Sequence, residues 1–505
     1  MSVDRHRTAC RIGMMLLVGL SLCAQRAWAG SWSGGIPDLL DDPLLTRPPI
    51  LDKNAVLPGD NAPLNAIDVC AKPASLPQPL MLIDAVDLAL CQDPRARAAW
   101  ADIKMRAAGV GQARGAYLPT LSGSVSDQRN ATTYPDFPAN NTAVRGYSNY
   151  ATLNWRLFDF GERAANRIAA NDMLAAAQAS YAAALQKTLT ATVQAYFDGL
   201  TTQAAYRARM HSAQLADQIL EAARRREARG ATGRSDTLQA QTALARAQLA
   251  QQRAAGDANK ALATLAFALG GPMDVQIVLP QDADAPAKQQ IADLTQWMNV
   301  AQQLHPAIVA ARRQWDADVS KIDSARSEGM PTVDFGMSVY QNGYPNQSVQ
   351  ATRSKTFIVG VTVTIPLFEG FTRTYKIREA QAQAEHSQAM VDDTERETLA
   401  EVVKVHADAL MSLANLDASE TLLAAANTAL ASSRNRYEHG ATDILELLNA
   451  QSGLADARQE RIRCESEWRS ARLRLMAAAG VLGRQGIVDN DVTAPDSRST
   501  ARLQP

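Results

Sequence analysis

The chain has 505 residues, a formal net charge of −1, 20% charged residues and only 5% aromatic ones. Near-neutral charge with no basic stripe excludes a nucleic-acid-binding surface of the usual kind. Abundant alanine with few aromatics favours long, closely packed helices over a bulky globular core.

Residues 1–29 read as a signal peptide. Arg5, Arg7 and Arg11 form a positive start, Ile12 to Cys23 an apolar stretch too short to span a bilayer, and Ala27-Trp28-Ala29 a small-x-small cleavage site. Leu22 before Cys23 is bulky where a lipid-attachment site calls for a small residue. Losing this leader removes Asp4 and four arginines and leaves a formal charge of −4. Residues 30–79 are rich in proline and lack periodicity, so they read as an irregular N-terminal segment. Export permits disulfides, and Cys70 and Cys91 are close enough in sequence to bridge. Cys464 lies in a helical pattern as a small packing residue.

Residues 80–271 form a first unit. A helical pattern runs from Ile83 to about Ala116 and stops at Tyr117-Leu118-Pro119, because proline cannot continue a helix. Two strands are predicted near 119–130 and 147–158. A proline-free stretch from Ala164 to Ala228 then predicts a helix ~100 Å long. Gly230 and Gly233 break it, and a second helix spans about Ser235 to Ala268. After a linker at 272–290, residues 291–483 replay the same order. A helix runs from about Ile291 to Ser327, strands lie near 331–342 and 354–367, a long helix runs from Arg373 to Glu438, and a last one from Asp443 to Ala479. Residues 484–505 are a polar, flexible tail.

The two units are one duplicated half-protein. Arg229-Gly230-Ala231-Thr232 is answered 210 residues later by His439-Gly440-Ala441-Thr442, and Leu238, Gln241 and Leu244 by Leu448, Gln451 and Leu454. The offset is 210 from Phe158/Phe368 onward and 212 before it, as Pro119/Pro331 shows, which places the difference in a loop.

No segment offers the ~20 apolar residues of a membrane helix. The strands do alternate. Phe357, Val359, Val361, Val363, Ile365 and Leu367 share one face. Thr356, Gly360, Thr362 and Thr364 share the other, with Ile358 alone apolar there. In a membrane barrel the apolar face meets lipid and the polar face lines water. Four strands cannot close a barrel, and lipid does not tolerate open edges, so several chains must join. Three copies give twelve strands. The expected fold is mainly α with transmembrane β: a long helical periplasmic barrel plus a twelve-stranded outer-membrane β-barrel shared by a trimer, four strands per chain.

Strand pairs, duplication and long helices together resemble the TolC family of outer-membrane channel-tunnel proteins, over about residues 80 to 483. The stretches that carry this are Tyr117-Leu118-Pro119, Leu157-Phe158-Asp159-Phe160-Gly161, Leu367-Phe368-Glu369-Gly370 and the turn from Arg436 to Gln451. Asp68-Val69-Cys70 and Ala89-Leu90-Cys91-Gln92-Asp93-Pro94 are similar to the CyaE branch, which serves toxin secretion. The resemblance implies a homotrimer in the Gram-negative outer membrane that extends into the periplasm. It further implies a periplasmic adaptor and an inner-membrane pump, ABC or proton-driven. Exported protein or a small molecule would be the cargo.

The resemblance also places a gate at the tip. Asp236, Glu446 and Tyr437 match family residues, whereas Asn449 and Thr442 stand where an aspartate and an arginine are expected. Arg234 or Arg436 substitutes for that arginine. Gly230, Gly233 and Gly440 form the tip turns, where an adaptor would dock. Asp236 and Glu446 in three chains would make a cation-attracting ring of six carboxylates; as first-turn acids they also stabilise helix N-termini.

No His-x-x-x-His, Cys-x-x-Cys, nucleophile elbow or phosphate loop is present, so no enzyme, metal or cofactor is expected. His439 reads as a C-capping residue and His305-Pro306 as a helix start. The leading reading is a passive conduit for type I protein secretion. The same conduit serving drug, metal or solvent efflux is the alternative. A periplasmic coiled-coil scaffold without a pore leaves the strands unexplained.

Overall fold

The computed structural model describes residues 78–270, 277–280, 291–342 and 354–483. The leader, nearly all of the Pro-rich segment including Cys70, most of the 272–290 linker and the 484–505 tail lie outside the described residues. Cys91 is disulfide-bonded, so its bridge, too, reaches beyond them.

The elements come in two matched series. The first is α1 (Leu82–Gln92), α2 (Pro94–Gly115), β1 (Thr120–Thr132), β2 (Thr142–Phe158), α3 (Glu162–Ala228) and α4 (Arg234–Ala268). The second is α5 (Leu294–Leu304), α6 (Pro306–Glu328), β3 (Thr332–Asn342), β4 (Ser354–Thr364), α7 (Thr372–Glu438) and α8 (Ile444–Ala478). Helices α3 and α7 each have 67 residues, and α4 and α8 each have 35. At ~1.5 Å per residue the long pair spans about 100 Å. No helix of the described residues is long and apolar enough to cross a membrane.

One expectation is corrected. The single helices read over 83–116 and 291–327 are each two helices, broken before Pro94 and Pro306. Proline has no N–H to donate and clashes with the preceding turn, so it opens a new helix instead. Asp93 caps the first break, accepting from the Arg95 N–H at 2.8 Å. His305 caps the second through Nδ1, which accepts from the Ala307 N–H at 3.3 Å.

Strands β1 to β4 form one antiparallel sheet in chain order, so β1 and β4 each keep an open edge. Thr120 pairs with Asn154, and Thr332 with Thr364. The first hairpin therefore holds two residues more than the second, which puts the 212-to-210 change in the hairpin connection. The register also aligns the faces. Leu121, Leu153, Met337 and Val359 lie in one cross-strand row, and Trp155, Phe335 and Val361 in the next. Ser122, Thr152 and Ser338 line the opposite face, where Ser126 and Ser148 share a 2.8 Å hydrogen bond. On the apolar face Val359, Val361 and Val363 are 55%, 59% and 57% exposed, so no core among the described residues covers them. From Tyr147 to Trp155 the face runs ~26 Å along β2, close to the height of an outer-membrane apolar band.

An arginine at the same repeat position secures each strand-to-helix junction. Arg163 at the start of α3 pairs with Asp159 at 2.5 Å, donates to the Arg156 carbonyl at 2.8 Å, and stacks on Tyr117 at 4.7 Å. Arg373, at the start of α7, donates to the Gly329 and Arg326 carbonyls, both at 2.9 Å. Its stem lies so close over Gly329 that a Cβ there would sit 2.2 Å from Arg373 Cδ. Next to each arginine, two consecutive residues have positive φ: Phe160 and Gly161 in one half, Gly370 and Phe371 in the other. A phenylalanine there is strained by ~1–3 kcal/mol, tolerated because its surroundings fix it.

Helix α3 is the hub of the helical part, packing on α2, α4, α6 and α8. Midway along, Leu189, Val193 and Phe197 of α3 meet Val86, Leu473 and Leu482. Trp297 and Val402 form a separate cluster with Leu475.

Two measurements test this assembly. Val361→Arg, in the apolar sheet face, is expected to destabilise the membrane-inserted protein by ~2–4 kcal/mol in denaturant titration. Arg373→Ala, which frees two carbonyls, is expected to cost about 1–3 kcal/mol in thermal unfolding in detergent. Wild-type stability in either variant contradicts the packing described.

Candidate functional site

The tip is built from two turns with one backbone recipe. Gly230 and Gly440 follow the long helices with φ of 70° and 75°, a conformation only glycine adopts without strain. The next N–H closes back on the last turn: Ala231 N donates to Arg226 O at 2.9 Å, and Ala441 N to Arg436 O at 2.8 Å. This is the Schellman closure of a helix C-terminus. The turns then diverge. Asp443 caps α8 by accepting from the Glu446 N–H at 3.0 Å. Its counterpart Gly233 has no side chain to cap α4.

Beneath the turns Ile219, Leu220 and Ala223 of α3 pack with Ala240 of α4, Tyr437 of α7 and Ile444 and Leu447 of α8. Helices α3, α4, α7 and α8 thus meet there. Arg226 crosses between the halves. Its guanidinium stacks on the Tyr437 ring at 4.6 Å and donates to the Tyr437 carbonyl at 2.5 Å. The Tyr437 hydroxyl is buried without a hydrogen-bond partner among the described residues. Burial pushes its phenol above the ordinary range; Arg226 pulls it down and the Asp236 carboxylate pushes it up.

The residues expected to form the gate are only partly brought together. Asp236, in the first turn of α4, faces Tyr437 electrostatically. Glu446 is held on three sides: Arg436 pairs with it at 2.8 Å, the Ser433 hydroxyl donates at 3.3 Å, and the Thr442 hydroxyl donates to its other oxygen. So Arg436, of the two arginines, engages one of the two carboxylates. Arg234 is exposed and has no ion pair among the described residues. Asn449 is also exposed and lines a groove of about 630 Å³ between α4 and α8 with Leu238, Leu445 and Leu448. His439 Nδ1 lies 2.8 Å from the Asn435 carbonyl, at the helix end where a capping role was expected. Arg226 is the repeat counterpart of Arg436, 210 residues on, but nothing in the sequence marks it as the residue that bridges the halves.

At the other end, the polar sheet face is mostly hydroxyl. Its charged cluster at the base joins Arg156 to Asp334 at 3.1 Å and to Glu162 at 3.6 Å. Among the described residues no cluster of His, Cys, Asp and Glu suits a metal ion.

Both halves of the duplication, residues 85–271 and 297–481, match the family described as outer membrane efflux protein. Protein CyaE of Bordetella pertussis is 38% identical over 83% of this chain and 88% of its own length. Alkaline protease secretion protein AprF of Pseudomonas aeruginosa is 27% identical over 80% of this chain and 85% of its own. Among solved structures, the outer membrane protein VceC of Vibrio cholerae superposes with a TM-score of 0.68 at 19% identity, covering 79% of this chain and 96% of that one. The likeness to VceC concerns the fold. With both repeats matched, and a relative above 30% identity covered nearly end to end, the chain belongs to the outer membrane efflux protein family, whose members are outer-membrane channels reaching into the periplasm.

Proposed function

We propose that this chain is the outer-membrane channel-tunnel of a tripartite exporter that secretes protein by the type I route. The observation that carries the reading is the sheet: four registered strands with one apolar face, one hydroxyl face and two open edges. Joined edge to edge, three protomers give a closed twelve-stranded pore. The helices continue each protomer ~100 Å below it. A pump in the inner membrane supplies the energy, and a periplasmic adaptor bridges pump and tip. The chain itself is a passive conduit. AprF, named for alkaline protease secretion, favours polypeptide cargo over small molecules.

Deletion tests the cargo. A strain lacking this chain is expected to keep its secreted polypeptide inside the cell while its tolerance of small toxic molecules is unchanged. Unaltered secretion with lowered tolerance would select the efflux reading instead.

We further infer that the tip is the gate and that its two carboxylates differ. Asp236 faces the axis uncompensated and supplies the cation preference. Glu446 is neutralised by Arg436 and serves as a latch across the α7–α8 turn, while Arg226 on Tyr437 latches the two halves of the protomer. The turns at Gly230, Gly233 and Gly440 are the adaptor's landing surface.

In a planar lipid bilayer, Asp236→Ala/Glu446→Ala is expected to lose most of the wild-type cation selectivity, and Asp236→Ala alone to account for the larger part. Arg226→Ala is expected to raise single-channel conductance by releasing the contact with Tyr437. Unchanged selectivity in the double variant ends the ring, and unchanged conductance ends the latch.

A further inference from the structure

Tyr150, Tyr340 and Ile358 are bulky side chains set among small ones. All three lie on the hydroxyl face of the sheet. Tyr150 pairs directly with Tyr340, and their rings meet edge to face at 6.2 Å. Tyr340 stands opposite Thr356, which makes Ile358 its diagonal neighbour, within reach of an aromatic side chain. They are 41%, 37% and 60% exposed. Neither phenol hydroxyl has a hydrogen-bond partner among the described residues. Around them the face carries Ser124, Ser126, Ser148, Thr152, Ser338 and Thr362.

We propose that Tyr150, Tyr340 and Ile358 form an adhesive collar inside the barrel that holds an unfolded polypeptide in transit, taking its aromatic, aliphatic and cationic side chains. The proposal rests on the conduit reading, because only a closed ring of protomers turns this patch into a collar. Twelve strands spaced ~4.8 Å and tilted ~40° enclose a backbone radius of about 12 Å. Threefold repetition then sets nine such side chains around the wall within a few ångströms of one height. Such a bore admits an extended chain or one helix, which is ~10–12 Å wide, but no folded domain.

The wall chemistry argues for a moving chain. Serine and threonine side chains are small, and their hydroxyls are satisfied by water or by one another, as Ser126 and Ser148 are at 2.8 Å, so they offer an unfolded polypeptide little to hold. Phenol faces take apolar groups through dispersion and cations through the ring quadrupole, each contact weak and indifferent to sequence. A cross-strand tyrosine pair that only stabilised the sheet would not need an isoleucine beside it on the water-lined wall. A collar does, since it widens the sticky zone along the bore.

Current recordings in a planar bilayer test this with the full-length protein. The probes are two short unfolded peptides added from the barrel side: one of glycine and serine, the other interspersed with tyrosine and arginine. On the wild type, the aromatic and cationic peptide is expected to give current blocks at least about tenfold longer than the glycine-serine peptide. In Tyr150→Ser/Tyr340→Ser/Ile358→Ser the two peptides are expected to block equally briefly. Tyr150→Phe/Tyr340→Phe keeps the ring faces and is expected to retain the long blocks. Equal dwell times on the wild type overturn the collar, as do long blocks in the serine variant or their loss in the phenylalanine variant. If the serine variant carries no current, the wild-type comparison of the two peptides decides. A wild-type protein that passes no current at all fails the conduit reading itself, a different result from a conducting pore without dwell.

Discussion

Backbone N–H and C=O groups need partners, and lipid supplies none. The four-stranded sheet brings this demand to a head. Its apolar face is exposed along the whole of β4, yet its first and last strands each leave an edge unpaired. A globular solution would bury the face, and a water-soluble edge would be guarded by charge. Here the face is exposed, and the charges of the edge strands, Asp127, Arg129 and Lys355, lie only toward the hairpin ends, leaving 120–126 and 356–364 without any. The sheet becomes stable only as a segment of a larger closed one, and the rest of the chain is arranged around that need. The helices hang from the polar end of the sheet through two arginine-clamped junctions, so closing the sheet also gathers the helices into a tube.

Duplication explains how one chain supplies two nearly equal parts of that tube, and divergence explains how it works. The junction arginines Arg163 and Arg373 do the same job with different partners, a tyrosine ring in one half and a glycine backbone in the other. The strained pair beside them inverts its order, Phe160-Gly161 against Gly370-Phe371. At the tip, Asp236 and Glu446 occupy equivalent positions in opposite electrostatic settings. One carboxylate is held by Arg436, Ser433 and Thr442, while the other faces a buried phenol. In a strictly repeated tip both carboxylates would have the same partners; here the repeat positions are equivalent and the surroundings are not.

Much of this was legible in the residue order. The 210-residue echo specified two equal halves, and the helix bounds Ala228/Glu438 and Arg234/Ile444 keep it. Period-two alternation marked β4 as a strand with a lipid-ready face, and Gly230 and Gly440 marked the turns, since positive φ at a helix end selects glycine. His305-Pro306 marks a helix start in the sequence as well as in the structure, whereas the break before Pro94 is masked by an apolar pattern that continues across it. Arg226 was not legible as a bridging residue: its partner is 211 positions away and is partly a main-chain carbonyl, which carries no residue-type signal.

Sequence by itself therefore determined the periodicities, the punctuation and the duplication, all of which depend on local backbone preference and on spacing along the chain. The tertiary structure alone decided which side chains face one another across the register and at the tip: Tyr150 against Tyr340, Arg226 on Tyr437, and Glu446 claimed by Arg436 while Asp236 has no ion pair among the described residues. The reason is physical. Helix and strand formation follow from neighbours a few residues apart, whereas charge compensation and ring contacts depend on distances through space, and those are fixed only when separate halves of the chain pack together.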